Sequence, residues 1–414
     1  MRGSRFSWLL GSRDFTFLLS TRFLVTFGTQ IAAVATGWLV YQIKKDPLYL
    51  GLIGLTEAMP ALGLALFSGW IVDRGRPLTI YFRAVLCSAL SSLLLWLLTA
   101  HILVVSGSLM LGLIFFAAFM TGAARSFLGP SQFSILPLTV PRESIGRASA
   151  WNTSFFQVAA LSGPGLGGLI YALGGGGFTF FFVLILLLAA AVTSRQIRVG
   201  NELRPPNPEK VPTRESFFSG VKFVFNHQVV LAALSLDMFG VLFGGATALF
   251  PIFAGEIFSN GPMGLGMLRA AMPVGSFFMG WFLIRVPISR FSGKIMLVAF
   301  CGFGLCMTIF GLSHSFYFSL ILLLLAGMCD SISMVTRQTL LQLLTPMEMR
   351  GRVSSVNSIF IGSSNEIGAF ESGLAAKLMG TRPSVVFGGC MTLVVVAVTW
   401  FMAPRLVKTR LSDL

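Results

Sequence analysis

Twelve apolar runs, each long enough to cross a lipid bilayer, account for most of this chain. A membrane-spanning helix needs about 20 largely apolar residues. Hydrophobic residues make up 55% of the 414 positions and charged residues only 11%, whereas a typical soluble domain carries about 25% charged residues. We therefore predict an all-α membrane protein with twelve transmembrane helices. The predicted spans are residues 16–42, 49–72, 79–102, 107–137, 148–172, 177–196, 228–255, 263–285, 293–313, 316–345, 353–379 and 383–403.

A short charged motif occurs twice and indicates an internal duplication. One copy begins at Pro141 and the other at Pro346, 205 positions later. Because this offset is close to half the chain, we predict two pseudo-symmetric six-helix bundles, 1–196 and 219–414, joined by a proline-rich linker at 197–218. Membrane carriers are known to be built from two such halves. The same offset relates Gly122 to Gly327, Ser126 to Ser331, Asn152 to Asn357 and Gly168 to Gly373.

Lysine and arginine are concentrated in the loops of one side. If the loops alternate sides, only Lys44, Lys45, Lys377 and Arg382 fall in loops of the opposite side. The positive-inside rule then places both termini and the linker in the cytoplasm. The first apolar run is too long for a cleavable signal peptide. The net charge of +15 is spread over many short loops, which argues against nucleic acid as a partner.

Cysteine and histidine are too scattered to form a metal site. All five cysteines lie inside apolar runs, and His101, His227 and His314 are far apart. We expect no disulfide, no metal and no cofactor. Motifs of hydrolases such as H-E-x-x-H and G-x-S-x-G are absent from the sequence, so we predict that the chain is not an enzyme.

The segment between spans 2 and 3 reads G-W-I-V-D-R-G-R and includes Gly69, Asp73, Arg74 and Arg76. It resembles the loop 2–3 signature of the major facilitator superfamily, one residue shorter after the Asp-Arg pair. Gly69 would let span 2 approach a neighbour closely, and the charged side chains would bond to helix ends as a conformational latch. The alternative is a simple basic stop after a span.

Span 5 contains L-S-G-P-G-L-G-G, Leu161 to Gly168. Small residues leave a flat helix face for close packing, and a proline removes one backbone hydrogen bond and permits a bend. The segment resembles the span 5 signature of antiporters in the same superfamily, which implies export. The packing and gating residues that we select are Gly163, Pro164, Gly167 and Gly168.

The resemblance to this superfamily extends over the whole chain. Segments such as W-L-V-Y-Q at Trp38 and S-S-N-E-I-G-A-F-E-S-G at Ser363 are similar to the branch that contains the enterobactin exporter and related bacterial efflux carriers. The resemblance implies the major facilitator fold, a monomer in the bacterial inner membrane, and a central cavity lined by spans 1, 4, 7 and 10. It leaves the substrate open.

Charged residues within spans are candidates for function, because a charge in lipid is costly. We predict proton coupling by Glu366, Asp330 and Glu57, since burial brings a carboxylate closer to neutral pKa values. The same offset relates Arg125 to Asp330, so the two could face each other across the cavity. The alternatives are an ion pair between Arg125 and Glu57, and structural roles for the carboxylates of span 11. The predicted cavity residues are Arg125, Asp237, Arg337, Asn365 and Glu371.

The sequence thus predicts a secondary transporter that works by alternating access. Its expected partners are protons, the lipid bilayer and a small organic substrate such as a siderophore or a drug, which it exports. The alternative is an importer or facilitator of the same fold, for example for iron–siderophore uptake.

Overall fold

A computed structural model describes residues 12–198, 214–283, 285, 293–346 and 349–409, and these form helices without strands. Most of the predicted linker and Glu348 of the second motif copy lie outside the described residues. The helices are α1 (Arg13–Ile43), α2 (Pro47–Arg74), α3 (Pro77–Thr99), α4 (Gly107–Thr139), α5 (Ile145–Arg195), α6 (Arg214–Asn226), α7 (Gln228–Gly244), α8 (Gly261–Leu283), α9 (Gly293–Leu312), α10 (Phe316–Leu344), α11 (Arg350–Met379), α12 (Thr381–Met402) and α13 (Pro404–Lys408).

Local capping sets several helix boundaries. Pro77 occupies the first turn of α3, where its missing N–H costs nothing. The N–H of Val230 donates to His227 Nδ1 at the start of α7, and the N–H of Phe318 donates to Ser315 Oγ at the start of α10. Gly380, with φ of 93°, separates α11 from α12, a backbone conformation that favours glycine.

Helix α5 contains two of the predicted spans. It has 51 residues, which at 1.5 Å per residue is about 77 Å, more than twice the thickness of a bilayer core. Gly175 has a φ of 68° and breaks the helix into two limbs. The limbs correspond to the predicted spans 148–172 and 177–196, so a single glycine replaces a loop.

The seventh span is irregular. Helix α7 ends at Gly244, and the chain continues through a 3-10 turn at Ala246–Leu249, a short α-turn at Phe250–Ile252 and a π-turn at Phe253–Ile257. The predicted span of 228–255 is therefore a broken helix. Irregular backbone at membrane depth is tolerated where it is covered by protein or lines a cavity.

The predicted fold class is confirmed. Among the described residues, nine helical segments have the length and hydropathy of membrane spans, and the double helix α5 is one of them. Helices α8 and α11 occupy the other two predicted positions. The count of twelve is consistent with these helices.

The first of two compact units comprises Met1–Ile43, Thr56–Val211 and Gly261–Gly266. Within it, α1 packs along α5, and α3 packs against α4 and α5. Its core includes the fully buried Phe15, Tyr81, Ile135 and Val183.

The second unit comprises Lys44–Leu55, Pro212–Asn260 and Met267–Leu414. Here α7 packs against α11 and α12, while α9 packs against α10 and α12. The amphipathic helix α6, which the sequence did not predict, joins α7, α10 and α11 in a small apolar cluster. That cluster contains Val224, Val230, Leu234, Leu341, Val353 and Val356.

Residues related by the offset of 205 make equivalent contacts in the two units. A Cβ at Gly122 would lie 2.0 Å from the Glu57 carbonyl oxygen, and a Cβ at Gly327 would lie 2.0 Å from the Met272 carbonyl oxygen. One turn later, Ser126 Oγ and Ser331 Oγ each donate to a backbone carbonyl of the neighbouring helix, at 3.1 and 3.3 Å. Helices α4 and α10 thus pack on α2 and α8 in the same way.

Candidate functional site

The second unit holds a buried ion pair between α7 and α10. The guanidinium of Arg337 contacts the carboxylate of Asp237, and the two residues are only 3% and 5% exposed. The pair combines two of the predicted cavity residues, a combination that the sequence did not indicate. Because burying charges is costly even when they are paired, two charges held here are candidates for function.

Asp330 adds a second carboxylate to this group. It precedes Arg337 by seven residues on α10, so the two share a helix face about 10 Å apart along the axis. Asp330 is partly buried and lies within electrostatic range of both Asp237 and Arg337. Asp330 is thus a second carboxylate near the Asp237–Arg337 pair.

The first unit holds a different ion pair, between α2 and α4. Arg125 NH1 donates to Glu57 Oε1 at 3.0 Å, and the side chains are 49% and 25% exposed. This is the second of the two interpretations of Arg125, the ion pair within the first half. Equivalence with Asp330 did not reveal this partner, because the residue at the corresponding contact in the second unit is Met272 and not an acid.

The predicted residues of α11 lie along one stretch of that helix. Asn365 Nδ2 donates to the Ile361 carbonyl of its own helix at 2.9 Å. Glu366 and Glu371 are both partly buried. Ser372, next to Glu371, donates to the Gly245 carbonyl at the end of α7, at 3.1 Å.

The latch residues lie at the end of α2 and the start of α3. A Cβ at Gly69 would meet no atom within 4 Å, so among the described residues the close approach predicted for Gly69 is absent. The guanidinium of Arg74 lies 4.5 Å from the ring centre of Trp70 on its own helix. Arg76 is exposed before α3. The side chain of Asp73 lies outside the described residues, so the latch stays a prediction.

The glycines of the fifth span lie at close helix contacts. A Cβ at Gly163 would lie 2.6 Å from Gln30 Cβ, and one at Gly167 would lie 3.0 Å from Ile31 Cα, both on α1. A Cβ at Gly168 would lie 2.5 Å from the Pro262 carbonyl oxygen. Pro164 is buried between them. A methyl group at Gly163 or Gly168 would overlap with a neighbouring helix, and one at Gly167 would make a tight contact.

An ion pair at one end of the spans was not predicted. Asp46, between α1 and α2, contacts Lys377 Nζ and accepts the Leu48 N–H at 3.0 Å. Burial of the Asp46 carboxyl would raise its pKa, but the bonds from Lys377 and Leu48, together with nearby Lys44, outweigh burial and lower the pKa. The sequence signal was an acid beside two lysines on the basic-poor side.

Within the described ranges, no group of three or more His, Cys, Asp or Glu residues could hold a metal ion. The described ion pairs within helices, Asp237–Arg337 and Arg125–Glu57, each join two helices of one unit.

The helical fold, with its long apolar helices, is that of a polytopic membrane protein. The chain belongs to the transmembrane secretion effector family of the major facilitator superfamily, whose sequence model matches residues 8–412. The resemblance to the major facilitator superfamily that the sequence showed is thereby confirmed. The members of this superfamily are transporters and not enzymes, so the chain is a multi-pass membrane transporter.

Named relatives align with part of the chain. The enterobactin exporter EntS of Shigella dysenteriae is 25% identical over 259 residues, which cover 63% of this chain and 61% of the relative. The uncharacterized MFS-type transporter YfmI of Bacillus subtilis is 28% identical over 183 residues, 41% of this chain and 44% of the relative. The matched region thus spans about three fifths or less of each relative's length.

Solved structures share the fold at low identity. A POT family transporter in complex with a thioalcohol-conjugated peptide has a TM-score of 0.74 and 13% identity, covering 96% of this chain and 97% of its own. A bacterial homolog of the human lysosomal transporter Spinster has a TM-score of 0.73 and 14% identity, covering 95% and 96%. These likenesses establish the major facilitator fold.

Proposed function

We propose that this transporter exports a small organic molecule, a siderophore or a lipophilic drug, in exchange for protons by alternating access. It resides in the bacterial inner membrane with both termini in the cytoplasm and works as a monomer. Protons, the lipid bilayer and the substrate are its partners.

The observation that carries the proposal is the buried ion pair of Asp237 with Arg337, together with the partly buried Asp330 on the same face of α10. An ion pair buried in membrane spans is retained at a cost in stability, and ionisable residues in spans mark ion and proton pathways. With two acids and one guanidinium in this group, a proton on one acid would leave the other matched one to one with Arg337. Glu366 and Glu57 are the further candidates for proton uptake.

Export is favoured by the comparisons with known proteins. The family is described as one of transmembrane secretion effectors, and the relative from Shigella dysenteriae is an enterobactin exporter. The glycine and proline motif of the fifth span points in the same direction. Enterobactin is therefore the first probe, and ethidium, a lipophilic cation, is the second.

The test uses the full-length protein in inverted membrane vesicles, whose lumen corresponds to the outside of the cell. With an acidic lumen, wild-type protein should accumulate one of the two probes, and collapsing the pH gradient with an uncoupler should abolish accumulation. Asp330→Asn should abolish accumulation against a gradient while preserving downhill movement, because the protonatable group is gone.

Glu143→Gln is the matched control, since Glu143 is exposed in the short turn before α5. It should accumulate the probe like the wild type. Accumulation that persists without a pH gradient would rule out proton exchange. Movement of iron-loaded enterobactin into right-side-out vesicles, without export in inverted ones, would favour the importer.

A further inference from the structure

In the first unit, α4 and α5 are joined by an amide–amide hydrogen bond. Gln132 Nε2 donates to Asn152 Oδ1 at 2.6 Å, and Gln132 is buried. One turn closer to the repeated motif, Leu136 and Ala148 belong to the same apolar cluster. The bond therefore pairs the Gln132 donor with the Asn152 acceptor, one helical turn from an apolar layer.

The offset of 205 relates Gln132 to Arg337 and Asn152 to Asn357. The duplication has thus kept the asparagine and replaced its glutamine partner by arginine. Both side chains can donate hydrogen bonds, but arginine is longer and always charged.

The apolar layer beside this position is present in the second unit as well. Leu341 and Val353, which are related by the same offset to Leu136 and Ala148, belong to one apolar cluster between α10 and α11. Arg337 lies one turn from Leu341, and Asn357 lies one turn from Val353. The arginine and the asparagine therefore occupy one level of the two helices.

Both side chains have an atom without a partner in the second unit. Arg337 is 3% exposed and Asn357 is 5% exposed, yet Arg337 Nε and Asn357 Oδ1 make no hydrogen bond. The first is a donor and the second an acceptor. A buried polar atom left unpaired is costly, and native structures contain few of them. In this conformation the guanidinium is instead directed at Asp237.

We propose that Asn357 is a second partner of Arg337, and that the guanidinium alternates between Asp237 on α7 and Asn357 on α11 during transport. The described conformation has the Asp237 contact. The other contact recreates between α10 and α11 the bond that Gln132 and Asn152 make between α4 and α5. The exchange of Gln for Arg turns a fixed contact of the first half into a movable one in the second. The role in transport rests on the proposed function, whereas the reach of Arg337 to Asn357 does not.

Whether the Arg337 guanidinium can contact residue 357 is tested by moving the carboxylate from position 237 to position 357. Asp237→Asn leaves Arg337 without its acid and should lower the melting temperature of the purified full-length protein by several degrees. Adding Asn357→Asp supplies a carboxylate at the second position and should recover at least half of that loss. Adding Asn152→Asp instead, at the equivalent position of the first half, should recover none.

The role of the Arg337–Asn357 contact in transport is tested by removing the side-chain amide of Asn357. Asn357→Leu deletes an acceptor that is unpaired in the described conformation, so the melting temperature should stay equal or rise. Asn152→Leu leaves Gln132 unpaired and should lower the melting temperature. Despite its stability, Asn357→Leu should lower the rate of probe accumulation at least tenfold, because the guanidinium has lost its second position.

Either of two results overturns the proposal. One is an equal melting temperature for the Asp237→Asn single variant and the double variant with Asn357→Asp. The other is an Asn357→Leu variant that transports at the wild-type rate or is destabilised as much as Asn152→Leu. Thermal unfolding needs neither substrate nor proton gradient, so failure of the rescue is distinguishable from failure of wild-type protein to export a probe.

Discussion

Glu57 Oε1 on α2 lies 3.0 Å from Arg125 NH1 on α4, and Arg125 comes three residues after a close approach of the two helices. The close approach is at Gly122, where a Cβ would lie 2.0 Å from the Glu57 carbonyl oxygen. Because Gly122 has no side chain, α2 and α4 can cross closely there. The ion pair lies beside this crossing. Because Arg125 is about half exposed, the pair contributes little to stability, and its value lies in where it places charge.

Exchanging the two charged residues should distinguish the effect of pairing on transport from the effect of which helix carries which charge. Glu57→Arg and Arg125→Glu each place two like charges together and should lower transport at least fivefold. The double variant restores the pair and should recover most of the rate if pairing alone matters, with a change in unfolding free energy of at most about 1 kcal/mol. Recovery is measured as initial probe flux in vesicles; a double variant as inactive as the singles would show that the orientation of the pair matters.

Alanine at the crossing glycines should destabilise the protein. Gly122→Ala and Gly327→Ala each push a methyl group into a backbone carbonyl, and we expect a cost of about 1–3 kcal/mol. Gly69→Ala is the control, because a Cβ there meets nothing within 4 Å. Melting temperatures of the three purified variants provide the comparison, and equal values for Gly69→Ala and Gly122→Ala would contradict the packing at Gly122.

Removing both charges of the buried pair should cost less than removing one. Asp237→Leu leaves an unpaired guanidinium and Arg337→Met leaves an unpaired carboxylate, each costing about 3–5 kcal/mol. The double variant removes both and should be more stable than either single. Denaturant or thermal unfolding of all three checks this double-mutant cycle, and strictly additive losses would count against direct pairing.

Acid should weaken the Asp46–Lys377 pair. The pKa of Asp46 is lowered in the folded protein, so the pair stabilises the protein above the ordinary aspartate pKa of about 4. That stabilisation is lost as the pH falls through the folded-state value. The wild-type melting temperature should therefore fall more steeply between about pH 5 and pH 3 than that of Asp46→Asn. Lys45→Gln serves as a control and should keep the wild-type slope.

The spans and the duplication were predictable because they depend on features that sequence carries directly. Apolar runs of membrane length are visible without contacts, and the repeated motif at Pro141 and Pro346 fixes the offset. Helix α6 was missed because it is short and follows a proline-rich stretch. The break in α5 at Gly175 lies in a run of four glycines, but only the φ of 68° identifies the residue that turns.

The partners of the charged residues were less accessible. Glu57 was one of two partners considered for Arg125, and sequence spacing could not choose between them. The pairing of Arg337 with Asp237 was missed because the residues are 100 positions apart and belong to helices that a repeat offset does not relate. The orphaned atoms of Arg337 and Asn357 are a property of side-chain direction, which no sequence pattern specifies.

The single-residue break at Gly175 has a consequence for how the chain is made. Two membrane spans follow each other in α5 with no hydrophilic loop between them, so during synthesis no polar segment has to be carried across the bilayer at this point. The two limbs can enter the membrane together as a helical hairpin. A charged residue in the run Gly174–Gly177 would therefore be expected to affect biogenesis before it affects transport.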